Sequence, residues 1–166
     1  MKTFFISDTH FFHRNLVRGV SSWEDKSGCR DFNTIEEMNE TIITNWNKVI
    51  SKDDLVIHGG DFAFGHEDNT INILKELNGK IHLVKGNHDK SYKRSKELGF
   101  IDCTEYWFHS GILVYHYPLR VRKDLYNECK IFLYGHVHFK TVKLEKSKNI
   151  CCEVINYIPT EMSELI

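Results

Sequence analysis

Five short clusters of aspartate, histidine and asparagine punctuate the sequence, each directly after an apolar run. Asp8-Thr9-His10 follows Thr3–Ser7, and Gly59-Gly60-Asp61 follows Val56–His58. Gly86-Asn87-His88-Asp89 follows Ile81–Val84, His116-Tyr117-Pro118 follows Ile112–Tyr115, and Gly135-His136-Val137-His138 follows Ile131–Tyr134. Imidazoles and carboxylates together suit divalent transition ions such as manganese, iron, zinc or nickel. No cluster contains cysteine, which argues against a structural zinc cage. A lone Asp-x-His or Gly-Asp is ordinarily a turn or a satisfied polar pair. His-x-His sets two imidazoles on one face of a strand, and Gly-Asn-His-Asp is more specific again. All five together, in this order, point to a metal-dependent site.

Such residues meet only if the apolar runs are strands of one frame whose ends converge on a crevice. The runs have the length of buried strands, and glycine just before a ligand lets the backbone turn and approach closely. Helical patterns lie between them, so the chain reads as α/β. Thr34-Ile35-Glu36-Glu37 matches a capping box, and Ile35, Met38, Ile42, Trp46 and Val49 recur at helical spacing. A second helix is expected over Thr70–Leu77, stopping at Asn78-Gly79, and a third over Ser91–Leu98, stopping at Gly99. Thr141–Leu144 and Ile150–Ile155 read as late strands, joined by a hairpin through Glu145–Asn149.

The 166 residues fit one domain, 1–166, with a sizeable core. A net charge of -1 argues against a domain built to grip a long nucleic-acid backbone, although a nucleotide or nucleic-acid end remains an acceptable partner. No run approaches the roughly 20 apolar residues that span a bilayer, and charged chemistry begins too early for a signal peptide. No membrane partner and a cytoplasmic location are therefore expected. The cysteines (Cys29, Cys103, Cys129, Cys151 and Cys152) are odd in number and lack zinc spacing, so they read as reduced, buried thiols. Cys151 and Cys152 should point to opposite faces.

Ser7-Asp8-Thr9-His10-Phe11-Phe12-His13, Glu37-Met38-Asn39-Glu40 with Asn45-Trp46-Asn47, Gly60-Asp61-Phe62-Ala63-Phe64, His116-Tyr117-Pro118-Leu119 and Asn156-Tyr157-Ile158-Pro159 resemble the calcineurin-like metallophosphoesterase family. The likeness covers nearly the whole chain and is greatest to small single-domain bacterial and phage members. It implies a four-layer αββα sandwich of two mixed sheets flanked by helices. It also implies two divalent ions, with manganese favoured. One would be held by Asp8, His10, Asp61 and His138, and the other by Asp61, Asn87, His116 and His136. Asp61 would bridge the two. Phe64 stands where many members carry an acidic residue, and Phe12 where relatives often have glycine.

The chemistry implied is hydrolysis of phosphate esters. Two ions about 3.5–4 Å apart would clamp the attacking and leaving oxygens, and a bridging hydroxide would attack phosphorus directly. His88 is the candidate general acid, with Asp89 expected to orient it and favour its protonated form; the alternative is a structural histidine. His13 is a candidate for touching the substrate phosphate, or else a surface loop residue. His58 reads as packed behind the site, and His66, His82 and His109 carry no motif. Lys90, Lys93, Arg94 and Lys96 form either a solvated helix face or an anion-attracting one, and Arg120 and Arg122 pose the same choice. The gaps between motifs leave little room for a cap domain, so an open site favouring phosphodiesters such as nucleotide diesters is expected. A phosphomonoesterase for nucleotides or phosphoproteins is the alternative. A non-catalytic scaffold is weaker, because no ligand has been lost.

Overall fold

The apolar runs are strands because both of their faces are buried. A computed structural model describes residues 1–165. The first sheet contains β1 (Thr3–Ile6), β2 (Leu55–His58), β3 (Lys80–Val84) and β4 (Asp102–Thr104), all parallel, with β9 (Thr160–Glu161) antiparallel along β1; the order is β4-β3-β2-β1-β9. The second sheet has the order β5-β6-β7-β8, where β5 (Tyr106–His109) pairs antiparallel with β6 (Ile112–Tyr115). β7 (Ile131–Tyr134) and β8 (Ser147–Asn149) continue it in parallel. Both sheets are mixed.

The pleat sends alternate side chains to opposite faces. Phe5, Ile57 and Val84 of the first sheet meet Ile112, Val114 and Leu133 of the second, with Ile150 between them. On the outer face of the first sheet, Phe4, Ile6, Val56, Ile81 and Leu83 pack against Met38, Ile42 and Trp46 of helix α1 (Ile35–Val49) and Ile73 of α2 (Glu67–Glu76). On the outer face of the second, Leu113, Phe132 and Tyr134 carry Leu125 and Tyr126 of α4 (Lys123–Glu128). Burying each such side chain fully contributes about 1.5–3 kcal/mol. The result is the αββα sandwich that the resemblance implies. No helix among the described residues is long and apolar enough to cross a membrane.

Local signals set the helix ends. Thr34 Oγ1 accepts from the Glu37 amide at 3.1 Å, and Glu37 Oε2 accepts in return from the Asn33 amide at 2.7 Å. Helix α3 (Tyr92–Leu98) starts on the Ser91 cap and stops at Gly99, whose φ is 126°. Helix α2 begins a turn before Thr70, with Glu67 and Asp68 in its first turn, where acidic side chains suit the helix dipole.

The expected late hairpin is corrected. Ser147–Asn149, placed in its turn, is the strand β8, and it runs parallel to β7, which no tight hairpin permits. Val142 and Leu144 lie outside any strand and owe their apolar alternation to packing on the second sheet. Beyond β8 the chain crosses between the sheets. The Ser7 amide donates to the Ile150 carbonyl at 2.8 Å, and the Cys152 amide donates to the Ser7 carbonyl at 2.9 Å. After that point, residues 152–157 turn and do not extend as a strand. Cys151 and Cys152 still separate: the first meets Asp8 at 3.3 Å, and the second joins the core beneath α1.

Candidate metal centre

The ends of β1, β2, β6 and β7 converge at one edge of the sandwich, joined there by the loop after β3. Two donor groups result: Asp8, His10 and His138, and Asp61, His116 and His136, each with its ligand atoms within 4.8 Å of one another. The Asp61 carboxylate stands between them. Its Oδ2 is 3.7 Å from His10 Nε2 and 3.4 Å from His116 Nε2. Asn87 Oδ1 joins the second group, 3.1 Å from His116 Nε2. All seven side chains singled out as ligands are thus in one place.

Each side chain presents the atom a metal would need. Asp8 Oδ2 is occupied, accepting from Ser7 Oγ at 2.5 Å and the His136 amide at 2.9 Å. Asp8 Oδ1 is buried with no hydrogen-bond partner, and so is His10 Nε2, 3.6 Å away. His116 Nδ1 donates to the Gly59 carbonyl at 2.8 Å, which leaves Nε2 to face Asp61 and Asn87. His138 Nδ1 donates to Glu153 Oε1 at 2.9 Å, which turns Nε2 towards Asp8. Orphaned, inward-facing Lewis bases fit a pair of cations held by N and O donors.

The electrostatics agree. Burial alone would push the Asp8 carboxyl up, but the imidazoles of His10, His116 and His138 hold it far below the usual carboxylate range. Burial opposes charge on His116, yet the hydrogen bond to Asp61 and the negative charges of Asp8 and Asp61 raise its pKa to about 9. At His116 and His138 the cluster thus favours positive charge, even when that charge is only a proton.

Backbone conformation at the site departs from the ordinary. Asp8, His10, Asp61, His136 and His138 all have positive φ, between 49° and 71°. A non-glycine residue in this region typically costs about 1 kcal/mol or more and persists only where surroundings enforce it. Phe12, in the position where relatives often carry glycine, shows the same feature at φ 62°. Gly135 is required for a different reason, because a Cβ there would collide with Ser7 Oγ and Asp8 Oδ2.

Two residues behind the site gave no sequence signal. The Arg30 guanidinium, fully buried, donates through Nη1 to the Thr9 carbonyl at 2.6 Å and through Nη2 to the Asp8 carbonyl. Its Nε donates to Glu153 Oε1 at 2.8 Å, the oxygen that also holds His138. One buried ion pair therefore fixes both the Asp8–His10 turn and the His138 ring. Partners that fix a metal-bound histidine typically contribute about 10–100-fold in metal affinity. Glu153→Gln should accordingly weaken manganese binding by about that factor in a titration; unchanged affinity would mean that Glu153 serves only Arg30.

Asp89 requires a correction. Its carboxylate accepts from the Asp61 and Gly86 amides, both at 2.8 Å, and from the Phe62 amide at 3.0 Å. It is spent on tying the β2 and β3 loops together and does not orient His88. Burial and the Asp61 charge raise its pKa, opposite to what an ion pair with a protonated His88 would do. His88 itself is exposed at the rim, its ring centre 5.7 Å from that of His10. His13 is half-buried and stacks on Phe64 at 3.8 Å, and burial lowers its pKa to about 4. His58 Nδ1 accepts from the Gly60 amide at 3.2 Å and its Nε2 donates to Thr9 Oγ1 at 3.0 Å, so it braces both loops as a neutral ring. Arg94 pairs with Glu67 and Glu97, Lys96 with Asp102, and Arg122 with Asp124, which makes these cations largely a solvated, paired surface.

Residues 1–154 match the family model described as the calcineurin-like phosphoesterase superfamily domain. The chain is 30% identical over 178 aligned residues to an uncharacterised protein of Methanocaldococcus jannaschii, with 99% of this chain and 89% of the relative covered. It is 24% identical to the gene 66 protein of Mycobacterium phage L5, over 82% of this chain and 77% of that one. The crystal structure of a protein of unknown function from Aquifex aeolicus superposes with a TM-score of 0.72 at 28% identity, covering 99% of this chain and 97% of the other.

Proposed function

The chain belongs to the calcineurin-like phosphoesterase superfamily, and from that premise we propose that it is a binuclear metal-dependent phosphodiesterase. The observation that carries this reading is the placement of one Asp61 oxygen between the two donor groups, 3.7 Å from His10 Nε2 and 3.4 Å from His116 Nε2. A carboxylate has enough lone pairs to serve two ions.

Asp8, His10, Asp61, Asn87, His116, His136 and His138 would hold two divalent ions, manganese by preference, which would supply positive charge for the phosphoryl oxygens and acidify the attacking water. The protein holds the donors in place: Asp61 is shared, Asn87 and the histidines are fixed by the hydrogen bonds described above, and Arg30 and Glu153 stand behind them. His88 sits at the rim with its amide donating to Asp61 Oδ1 at 2.8 Å. In this reading its ring would hand a proton to the leaving oxygen. The exposure of Asn87, His88 and His136 supports an open site that accepts a diester with two bulky arms.

The test compares manganese-loaded protein on bis-p-nitrophenyl and mono-p-nitrophenyl phosphate. We expect a higher kcat/KM on the diester. The reverse order would make it a monoesterase, and a protein that binds no manganese and turns over neither ester would sink the phosphoesterase reading.

A further inference from the structure

A groove of about 490 Å³ opens beside the metal site, and the mechanism above leaves it unused. Its walls are Leu16, Trp23, Val137 and Phe139, with Lys140 at the rim. His136 and His138 line it too, and these same side chains belong one to each donor group. The groove is therefore continuous with both metal positions. Its size lies in the range of pockets that take a small organic ligand.

The walls are unusual for this protein. Among the described Phe, Tyr and Trp residues only Trp23, Tyr92, Phe108 and Phe139 are exposed, and two of them, Trp23 at 40% and Phe139 at 51%, border this groove. Trp23 also lies edge-on to His13, with ring centres 6.1 Å apart, and His13 in turn stacks on Phe64. A chain of aromatic rings thus runs from the groove through His13 and Phe64 to His10. Among the described residues no carboxylate lines the groove, and Lys140 brings an ammonium to it. Such a surface receives a flat, aromatic, uncharged group tethered to an anion.

We propose that this groove holds the nucleoside arm of a nucleotide phosphodiester, the base stacking on Trp23 and Phe139 while the phosphate lies over Asp61. The proposal rests on the phosphodiesterase reading of the same site and narrows its substrate class. A phosphorus centre over the two donor groups would lie beside His136 and His138, the residues through which the groove adjoins the site. A larger cavity of about 530 Å³ lies by β9 and shares no residue with the donor groups, so it does not compete for this arm.

The experiment uses the full chain loaded with manganese and two substrates with one leaving group: thymidine 5′-(p-nitrophenyl phosphate) and methyl p-nitrophenyl phosphate. Stacking of a base on an aromatic side chain corresponds to about a tenfold effect. The wild type should prefer the thymidyl ester by about that factor in kcat/KM. Trp23→Ala should collapse the thymidyl-to-methyl ratio towards one, Phe139→Ala should lower it too, and Trp23→Phe should restore it. A wild-type ratio near one, or a ratio unchanged in both alanine variants, would overturn the proposal. So would a change of oligomeric state in Trp23→Ala on size-exclusion chromatography, which would make the groove an interface between copies. If neither ester is hydrolysed, the phosphodiesterase reading fails and binding decides the groove. Thymidine 5′-monophosphate should then bind the loaded protein about tenfold more tightly than methyl phosphate, a difference lost in Trp23→Ala; equal affinities would overturn it.

Discussion

Arg30→Ala should be among the most destabilising single substitutions in this protein, lowering stability by about 3–5 kcal/mol. Arg30 is fully buried, and its guanidinium touches the Glu153 carboxylate and the carbonyls of Thr9 and Asp8. Truncation leaves the Glu153 charge inside the protein with only His138 beside it, and strips two buried carbonyls of their donor. Leaving an uncompensated buried charge is what makes breaking such a pair costly, more than the loss of attraction itself. The two carbonyls also belong to the Asp8–His10 turn with its positive φ values of 55° and 49°. That turn loses its clamp. In a chain of this size the change corresponds to a Tm drop on the order of 10 °C. Thermal unfolding measures it, and a Tm within about 2 °C of the wild type would refute the account. The double variant Arg30→Ala/Glu153→Ala should recover part of the loss, because the orphaned charge is gone.

Asp61→Asn should remove catalysis without unfolding the protein. The substitution preserves shape and leaves an Oδ1 to accept the His88 amide hydrogen bond, which spans 2.8 Å. It deletes the one negative charge that faces both donor groups. Removing a single preorganised electrostatic group from an active site typically costs about 10²–10³ in rate, and a shared ligand should cost at least the upper figure. Manganese stoichiometry should fall below two per chain. Apo stability should fall modestly: burial and the Asp8 charge disfavour the Asp61 carboxylate, but the hydrogen bond and charge of His116, with His10, outweigh them and hold its pKa below the usual range, so the charge stabilises the fold. Metal analysis, steady-state rates and a melting curve check the three parts. Two ions retained at near wild-type kcat/KM would end the idea that Asp61 bridges.

Much of this was legible in the sequence. The strand-then-ligand rhythm is local: a short apolar run buried on both faces, then a glycine or turn, then Asp8, Asp61, Asn87, His116 or His136. The order of strands in an α/β frame brings such ends to one edge, so residues distant in sequence were traceable to one site. Helix α1 was equally readable, because Thr34 and Glu37 form its start within four residues. Where reading failed, the deciding contacts were non-local or ambiguous. Asp89 shares a motif with His88 but faces the other way, into the Asp61 and Phe62 amides. β8 pairs in parallel with β7 and so carries no turn signature to betray it.

Donor types, their order and the strands beneath them follow from residue chemistry and from periodicity over a few residues. Which atom each donor presents, where Asp61 stands, and what lies behind and beside the site depend on packing between distant parts of the chain. Arg30 and Glu153 meet across 123 positions, and Trp23 reaches the same groove as Phe139 from the other end of the chain. A buried charge or an exposed aromatic ring has no local pattern of its own. Its role is set by what the fold places next to it, and chain-distant packing alone fixes that.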